Sequence, residues 1–240
     1  MISFIIPAHN EEALLGRAIT SIRESAKAAG EAYEIIVVND ASADGTAKVA
    51  AENGASVVNV ELRRISAVRN AGARYAKGDV LIFVDADTVL PAPTLQAALA
   101  LLRAGGVGGG ASVAWDETCP IWGRLLLRMW NEIARVLRWA AGCFVFVRRD
   151  VFEDVGGFDE TYYVGEEIIL SSALKRKGRF VVLRQPVITS ARKVHLYGKF
   201  EMMWLMTSMS IQGQQSWRKR AGLDMWYARR EHNPSASHEQ

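Results

Sequence analysis

The fold is decided by residues 80–88, which read VLIFVDADT. An unbroken apolar run of this length is typical of a strand that is covered on both faces. The run leads into Asp85 and Asp87, which stand at alternate positions with the small Ala86 between them. This pattern predicts a buried strand that delivers two carboxylates to the loop at its carboxyl end.

Short runs rich in Ile and Val also precede this strand, and helix-like segments separate them. The runs are residues 2–7, 34–39 and 56–60. Strands that alternate with helices predict an α/β fold, with a Rossmann-like, mostly parallel sheet flanked by helices on either side. Ligands of such sheets bind beyond the carboxyl ends of the strands.

The second half of the chain is less regular, and we predict its elements from local patterns. These are strands at 143–147 and 179–183, an amphipathic helix at 121–140 and a helix at 166–177. The amphipathic helix carries Arg124, Arg128, Arg135 and Arg138.

Composition excludes several classes of protein. A net charge of +3 without a basic block argues against a nucleic-acid partner. The first residues, MISFIIPAHNEE, lack the apolar core of a signal peptide, and no apolar run is long enough to cross a bilayer. We therefore expect a cytoplasmic location.

Acidic and amide side chains gather after three of the predicted strands. They are Asn10, Glu11 and Glu12, then Asn39, Asp40 and Asp44, then Asp85 and Asp87. Because like charges repel, we expect a cation or a donor-rich ligand among them. Mg²⁺ and Mn²⁺ prefer oxygen ligands, so a metal diphosphate fits. The alternative for the aspartates is a solvated turn with helix caps.

Three stretches, FIIPAHNEE, VVNDASADGT and RNAGARYAKGDVLIFVDADT, resemble in this order the signatures of glycosyltransferase family 2. Residues 142–178, which include GGFDETYYVGEE, extend the resemblance. It implies a GT-A fold and an inverting enzyme that moves a sugar from a nucleoside diphosphate to a hydroxyl acceptor with Mn²⁺ or Mg²⁺. Uridine is the base that family habit favours.

Composition divides the chain, because it turns Met- and Trp-rich from about Gly198 and polar from His232. We expect one GT-A domain over residues 1–197, a helical extension over 198–231 and a disordered tail over 232–240. Within the domain, residues 1–115 form the nucleotide-sugar-binding half and 116–197 the acceptor half.

Residues of the donor site follow from the matching motifs. The resemblance assigns Pro7, Ala8, Asn10, Glu12 and Asp40 to the base and ribose, and Asp85, Ala86 and Asp87 to the ribose and the metal diphosphate, with Asp87 as metal ligand. A carboxylate such as Asp40 can accept the imide N–H of uracil, and Arg69 can bring a permanent cation. A helix cap or turn is the alternative for Asp40, and a surface position is the alternative for Arg69.

The general base of the family belongs to a Glu-Asp pair after a Gly-Gly-Phe-Asp turn. Here Glu166 and Glu167 occupy the pair, so a Glu stands where an Asp is usual. Glu167 can still take the proton of the acceptor hydroxyl, although its side chain is longer. The alternative is a pair of acids that favours a helix N-terminus.

Further along, the stretch SARKVH brings Arg192 and His195 close together in sequence. Related small family 2 enzymes carry a similar Ser-Ala-Arg stretch, so we assign Arg192 to the phosphate or the acceptor. His195 could complete the metal shell, or it could be structural.

Residues 199–220, rich in Met and Trp, allow two interpretations. They could pack on the domain, or they could lie on the inner face of a membrane and meet a lipid-linked acceptor. The rival functions are a nucleotide-sugar-binding module that has lost catalysis and a nucleotidyltransferase. The acidic PAHNEE argues against the latter, which usually carries a Gly-rich basic loop there.

Overall fold

The computed structural model describes residues 1–192 and 216–218 of the chain. Strands and helices alternate through the first half. The strands are β1 (Ile2–Ala8), β2 (Tyr33–Asp40), β3 (Ser56–Val60) and β4 (Val80–Val84), and the helices are α1 (Glu12–Ala29), α2 (Thr46–Glu52) and α3 (Ile65–Tyr75). All of the strands predicted for this half are confirmed, each end to within a residue.

The second half contains short elements that the sequence analysis missed. Its elements are β5 (Thr88–Val89), α4 (Ala92–Arg103), β6 (Gly108–Trp115), α5 (Ile121–Leu137), β7 (Phe144–Arg148), α6 (Arg149–Asp154), α7 (Glu166–Lys175), β8 (Phe180–Thr189) and a 3₁₀ helix at Ser216–Arg218. The sequence patterns predict neither α4 and β6 nor β5 and α6, of which the last two are too short to show a periodicity in sequence.

Two predicted boundaries are wrong. α5 ends at Leu137 rather than at residue 140, because Arg138 adopts a left-handed conformation with φ 53° and closes the helix. β8 continues to Thr189 instead of stopping at residue 183. It does so because it pairs with β6 as far as Trp115, across an irregularity between Ala111 and Ser112.

Within the described residues, the strands form one eight-stranded sheet in the order β3-β2-β1-β4-β7-β6-β8-β5. β7 runs antiparallel to both of its neighbours and β5 antiparallel to β8, while every other pair is parallel. The predicted mostly parallel sheet is therefore confirmed, and it runs continuously through both halves of the chain.

Helices cover both faces of this sheet. Alternate residues of β1 enter two different cores: Phe4 and Ile6 pack in the cluster that includes Leu15 of α1, whereas Ile5 packs in the cluster that includes Val68 of α3. Every residue of β1 is buried as a result. This double coverage is why the strand reads as a continuous apolar run.

The loops that carry the candidate site residues lie at one edge of the sheet. The carboxyl ends of β1, β2 and β4 meet there because these strands are parallel. The antiparallel β7 begins at the same edge, where the N–H of Asp85 donates to the carbonyl of Cys143 at 3.2 Å. The carboxyl end of β8 arrives beside them and brings Thr189 to Asp87.

Most of the predicted extension (198–231) and all of the predicted tail (232–240) lie outside the described residues. The described 3₁₀ helix packs on the loop before α7, where the N–H of Tyr163 donates to the carbonyl of Trp217 at 2.8 Å. No helix in the described parts of the chain is both long and apolar enough to cross a membrane.

Candidate active site

The loops after β1 and β2 are joined by hydrogen bonds. Asn10 donates its N–H to the Ser42 hydroxyl at 3.0 Å, and its side-chain oxygen accepts the N–H of Ala43 at 2.8 Å. Glu12 accepts the N–H of Gly45 at 2.9 Å. Asn10 adopts a left-handed φ of 55°, which its short polar side chain tolerates. Asn10 and Glu12 therefore fix the shape of the predicted donor edge.

Asp40 ends β2 and is buried. Its carboxylate accepts the N–H of Leu62 at 2.7 Å and that of Arg63 at 2.9 Å. Asp40 therefore holds the loop after β3, and it does not cap α2, which begins after Gly45. The side-chain contact of Asp40 with a nucleotide base stays a prediction.

Pro7 and Ala8 are buried at the end of β1, opposite Val38 and Asn39 of β2. They lie directly before the loop that carries Asn10 and Glu12. Their buried strand positions bring backbone rather than reactive side chains to the edge. The contact of Pro7 and Ala8 with the donor stays a prediction.

The loop after β4 presents the two carboxylates predicted from sequence. Asp85 keeps 30% of its side chain exposed and Asp87 12%, while Ala86 is buried between them. A turn forms here, because the N–H of Thr88 donates to the carbonyl of Asp85 at 3.0 Å. The hydroxyl of Thr189 donates to Asp87 at 3.2 Å and so orients its carboxylate.

Arg192 lies at the same edge, as expected from the sequence. Its guanidinium pairs with Glu11 through both Nη atoms, with Nη1 to Oε2 at 2.8 Å, and Nη2 lies 3.3 Å from Oδ2 of Asp87. Partial burial disfavours the cation, but Glu11 and Asp87 together raise the pKa of Arg192. No feature of the sequence indicates that Glu11 orients this arginine.

Arg69 connects two parts of the site. Its guanidinium donates to Glu166 at 2.6 Å, to Asp85 at 2.9 Å and to the carbonyl of Gly142 at 2.7 Å. Arg69 is 1% exposed, so the alternative of a surface position is wrong. Burial opposes the charge, yet the two carboxylates raise the pKa of Arg69. A direct contact of Arg69 with the nucleotide stays a prediction.

Glu166 and Glu167 begin α7, but their surroundings differ. Glu166 is 4% exposed and bound to Arg69, whereas Glu167 keeps part of its surface accessible. Burial, followed by the charge of Glu166, raises the pKa of Glu167 to about 8. A Cβ on Gly142 would lie 3.6 Å from Cδ of Glu167 and 3.4 Å from Nη2 of Arg69, so both side chains flank this glycine.

The segment at Gly142 and the 3₁₀ helix were not recognised as parts of this region from sequence. Trp217 packs on Gly165, the residue before α7, where a Cβ would come within 2.7 Å of its ring. For the described residues 216–218, the packing interpretation of the C-terminal segment is therefore confirmed. The contacts of Gly142 and Trp217 join positions that are far apart in the sequence, so only the fold reveals them.

The residues present fit a metal ion that arrives with a diphosphate. Among residues 1–192 and 216–218, no group of three or more His, Cys, Asp or Glu side chains could enclose an ion. Asp85 and Asp87 nevertheless stand at one edge, and Mg²⁺ is usually held by one or two carboxylates together with substrate phosphates. The predicted ligand His195 lies outside the described residues.

The sequence model of the family described as "Glycosyl transferase family 2" matches residues 3–156. The chain is similar to an undecaprenyl-phosphate 4-deoxy-4-formamido-L-arabinose transferase of Shewanella sediminis, with 34% identity over 97 residues. That match covers 38% of this chain and 29% of the relative. The chain thus spans less than a third of this relative's length.

The fold is similar to that of two solved structures. The mannosyltransferase PcManGT from Pyrobaculum calidifontis, in complex with GDP-Man and Mn²⁺, gives a TM-score of 0.66 at 20% identity, over 85% of this chain and 59% of that one. S. aureus TarS 1-349, in complex with UDP-GlcNAc, gives 0.64 at 17% identity, over 79% and 58%. These similarities confirm the predicted GT-A fold.

Proposed function

Because the chain belongs to glycosyltransferase family 2, we propose that it transfers a sugar from a nucleoside diphosphate to a hydroxyl acceptor with the help of a divalent metal ion. One observation carries the proposal. The buried Arg69 joins Asp85, on the donor side, to Glu166, which precedes the candidate base Glu167. A single residue thereby keeps the two sides of a displacement reaction at a fixed distance.

The donor nucleotide would bind across the ends of β1 and β2, against Pro7, Ala8, Asn10, Glu12 and Asp40. Asp40 can accept an N–H of the base, because its Oδ2 accepts one backbone N–H and has a second lone pair; uracil and guanine both offer such a donor, and family habit favours uridine. The similar structures were solved with UDP-GlcNAc in one case and GDP-Man in the other. We therefore propose UDP as the first candidate and GDP as the second.

Asp85 and Asp87 would hold Mn²⁺ or Mg²⁺ together with the diphosphate, and His195 is a candidate further ligand. The bound ion would neutralise the negative charge that develops on the leaving diphosphate. PcManGT, which binds GDP-Man with Mn²⁺, supports this choice of ion. Arg192 lies 3.3 Å from Asp87 and can offer its permanent charge to a phosphate oxygen.

Glu167 would act as the general base. The acceptor oxygen attacks the anomeric carbon opposite the leaving diphosphate, the bond from that carbon to the diphosphate oxygen breaks, and the hydroxyl proton passes to Glu167. Configuration is inverted and no covalent intermediate forms. A base works best when its pKa lies near the working pH, and the pKa of Glu167, raised to about 8, suits this role.

The acceptor is proposed from the relatives. The relative from Shewanella sediminis is named as a transferase that involves undecaprenyl phosphate. We therefore propose a lipid-linked acceptor for this chain, one that carries a hydroxyl group beyond the lipid phosphate and is reached from the cytoplasmic face of a membrane.

A donor screen tests the proposal. The purified chain is incubated with Mn²⁺ or Mg²⁺ and a panel of nucleoside diphosphate sugars, and release of nucleoside diphosphate is followed. We expect that one donor releases its nucleoside diphosphate and that Asp87→Asn abolishes this release. In Glu167→Gln the rate should fall about 10²–10⁴-fold. Glu167→Asp keeps a carboxylate and should retain more activity, while the exposed Glu24→Gln should match the unchanged protein.

The second candidate function is a catalytically weak or inactive nucleotide-sugar-binding module. It is favoured by the Glu at position 167, where the family usually has Asp. Such a module would be stabilised against heat by one donor in a metal-dependent way without releasing nucleoside diphosphate. If no donor binds at all, the donor site is wrongly assigned.

A further inference from the structure

α5 exposes a row of large apolar side chains. Within this helix, the exposed ones are Ile121, Leu125, Met129, Ile133, Val136 and Leu137, with exposures that range from 86% at Ile121 to 42% at Leu137. Residues four apart share one face of a helix, so the first four form a continuous apolar stripe, which Val136 extends by a further turn. Within the described residues, nothing buries this stripe.

The stripe cannot turn toward the core. Gly123 and Ala134, on another face of α5, are buried against the domain. The side chain of Asn131 accepts the N–H of Val113 at 2.9 Å and donates to its carbonyl at 2.8 Å. β6 pairs with β7 only from Gly108 to Gly110, so this amide replaces a strand partner at Val113. These contacts fix the rotation of α5 about its own axis.

The surface beside the stripe is basic. α5 and its C-cap carry Arg124, Arg128, Arg135 and Arg138, against one acid, Glu132. Arg135 pairs with Glu132, while Arg124, Arg128 and Arg138 are exposed. Lys175 adds a further positive charge at the end of the helix, where it donates to the carbonyl of Leu137 at 2.9 Å.

The charges decide between possible partners of the stripe. A second copy of this chain would bring its own basic edge toward the same arginines, and like charges disfavour such pairing. An anionic lipid surface instead accepts apolar side chains beneath its headgroups and offers phosphates to guanidinium groups. Two partly exposed tryptophans, Trp122 and Trp130, belong to the residue type enriched at membrane interfaces.

We propose that α5 binds the surface of a bilayer that contains anionic lipids, with the apolar stripe inserted and the arginines at the headgroups. This contact lies on described residues and is separate from the segment 199–220. It does not depend on a transferase activity.

α5 lies next to the candidate active site. Before the helix, Cys119 packs with Ala191, the neighbour of Arg192. After it, the chain reaches Gly142, whose carbonyl binds Arg69. The helix thus runs beside the candidate site, from Arg192 to the glycine that flanks Glu167. If the proposed function holds, a lipid-linked hydroxyl would meet Glu167 at the membrane surface.

Vesicle flotation with the full chain tests the proposal. Vesicles of phosphatidylcholine alone are compared with vesicles that contain about one third phosphatidylglycerol. We expect flotation with the anionic vesicles and weak flotation with the neutral ones. The triple variant Leu125→Gln, Met129→Gln, Ile133→Gln should bind at least about tenfold more weakly. Arg128→Gln should lower binding by a few-fold, about what one cation near the surface contributes.

Tyr75→Gln is the matched control, because Tyr75 is 62% exposed but lies on α3. It should float like the unchanged protein, and the melting temperatures of all variants confirm that each is folded. Flotation of the triple variant at the unchanged level would overturn the proposal, as would equal binding to neutral and anionic vesicles. A chain that ignores vesicles but is a dimer, and becomes a monomer in the triple variant, would identify a second copy as the partner instead.

Discussion

The two sides of the candidate site are held by different interactions. On the donor side, Asn10, Glu12 and Asp40 accept backbone N–H groups from neighbouring loops. On the base side, Arg69 binds the buried carboxylate of Glu166 and connects it to Asp85 of the donor side. Backbone donors spread the stabilisation of the donor-side carboxylates over several loops, whereas the buried Glu166 depends on one cation.

This difference predicts unequal tolerance to mutation. A carboxylate that loses one of several backbone donors keeps its remaining partners. A buried carboxylate that loses its counter-ion keeps the cost of burial without compensation, and it takes up a proton or destabilises the fold. The base side should therefore be the more fragile of the two.

The largest effect is expected for Arg69→Met. This change leaves Glu166 and Asp85 without their shared cation, and it should lower the free energy of unfolding by about 3–5 kcal/mol. Urea unfolding measures the loss. Adding Glu166→Gln should recover part of it, because the buried charge of Glu166 that Arg69 compensates is then removed. If Arg69→Met is as stable as the unchanged chain, the claim that the base side is the less tolerant of mutation is wrong.

A smaller effect is expected for Asp40→Asn on the donor side. In Asn, an NH₂ donor replaces the oxygen Oδ2 that accepts the N–H of Arg63 at 2.9 Å, so the free energy of unfolding should fall by about 1–3 kcal/mol. Asp79→Asn is the control, since the side chain of Asp79 is 88% exposed, and it should change the stability by less than about 0.5 kcal/mol. If Asp40→Asn costs more than Arg69→Met, the ranking of the two sides is reversed.

The last comparison concerns the charge of Glu167, whose effect is seen only when the pH is changed. Its pKa is raised on folding, so the contribution of this group to stability is greatest below the unfolded pKa and is lost as the pH rises through about 8. Glu167→Gln removes this dependence. The melting temperature of Glu167→Gln minus that of the unchanged chain should therefore increase as the pH is raised from about 5 to about 9. A difference for Glu167→Gln that stays constant from about pH 5 to pH 9 would exclude the raised pKa.

Much of the fold could be predicted because its signals are local. The apolar runs of β1 to β4 follow from coverage on both faces, and the loop with Asp85 and Asp87 follows from the end of β4. The short β5 and α6 could not be found, since a periodicity needs a longer window.

The sequence indicates which side chains reach the candidate site, but not which of them pair with one another. Arg69 is separated by 97 positions from Glu166 and by 73 from Gly142, and no motif encodes such pairings. The same holds for Glu11 and Arg192, which are 181 positions apart. A sequence motif indicates which side chains reach an edge of the sheet, but only the fold decides which of them neutralise one another.

The contacts of Arg69 also distinguish Glu166 from Glu167. Both are acids at the start of α7, and sequence alone does not say which one is restrained by a cation. The fold binds Glu166 to Arg69 and leaves Glu167 partly exposed. We therefore assign proton transfer to Glu167 and a positioning role to Glu166.

The most direct test of this assignment is the pH dependence of kcat/KM for nucleoside diphosphate release from the preferred donor. We predict a rate that rises with pH and levels off with an apparent pKa of about 8, together with a low rate for Glu167→Gln that does not vary with pH. A Glu167→Gln variant that keeps both the rate and the pH profile of the unchanged chain would contradict the assignment of Glu167 as the base.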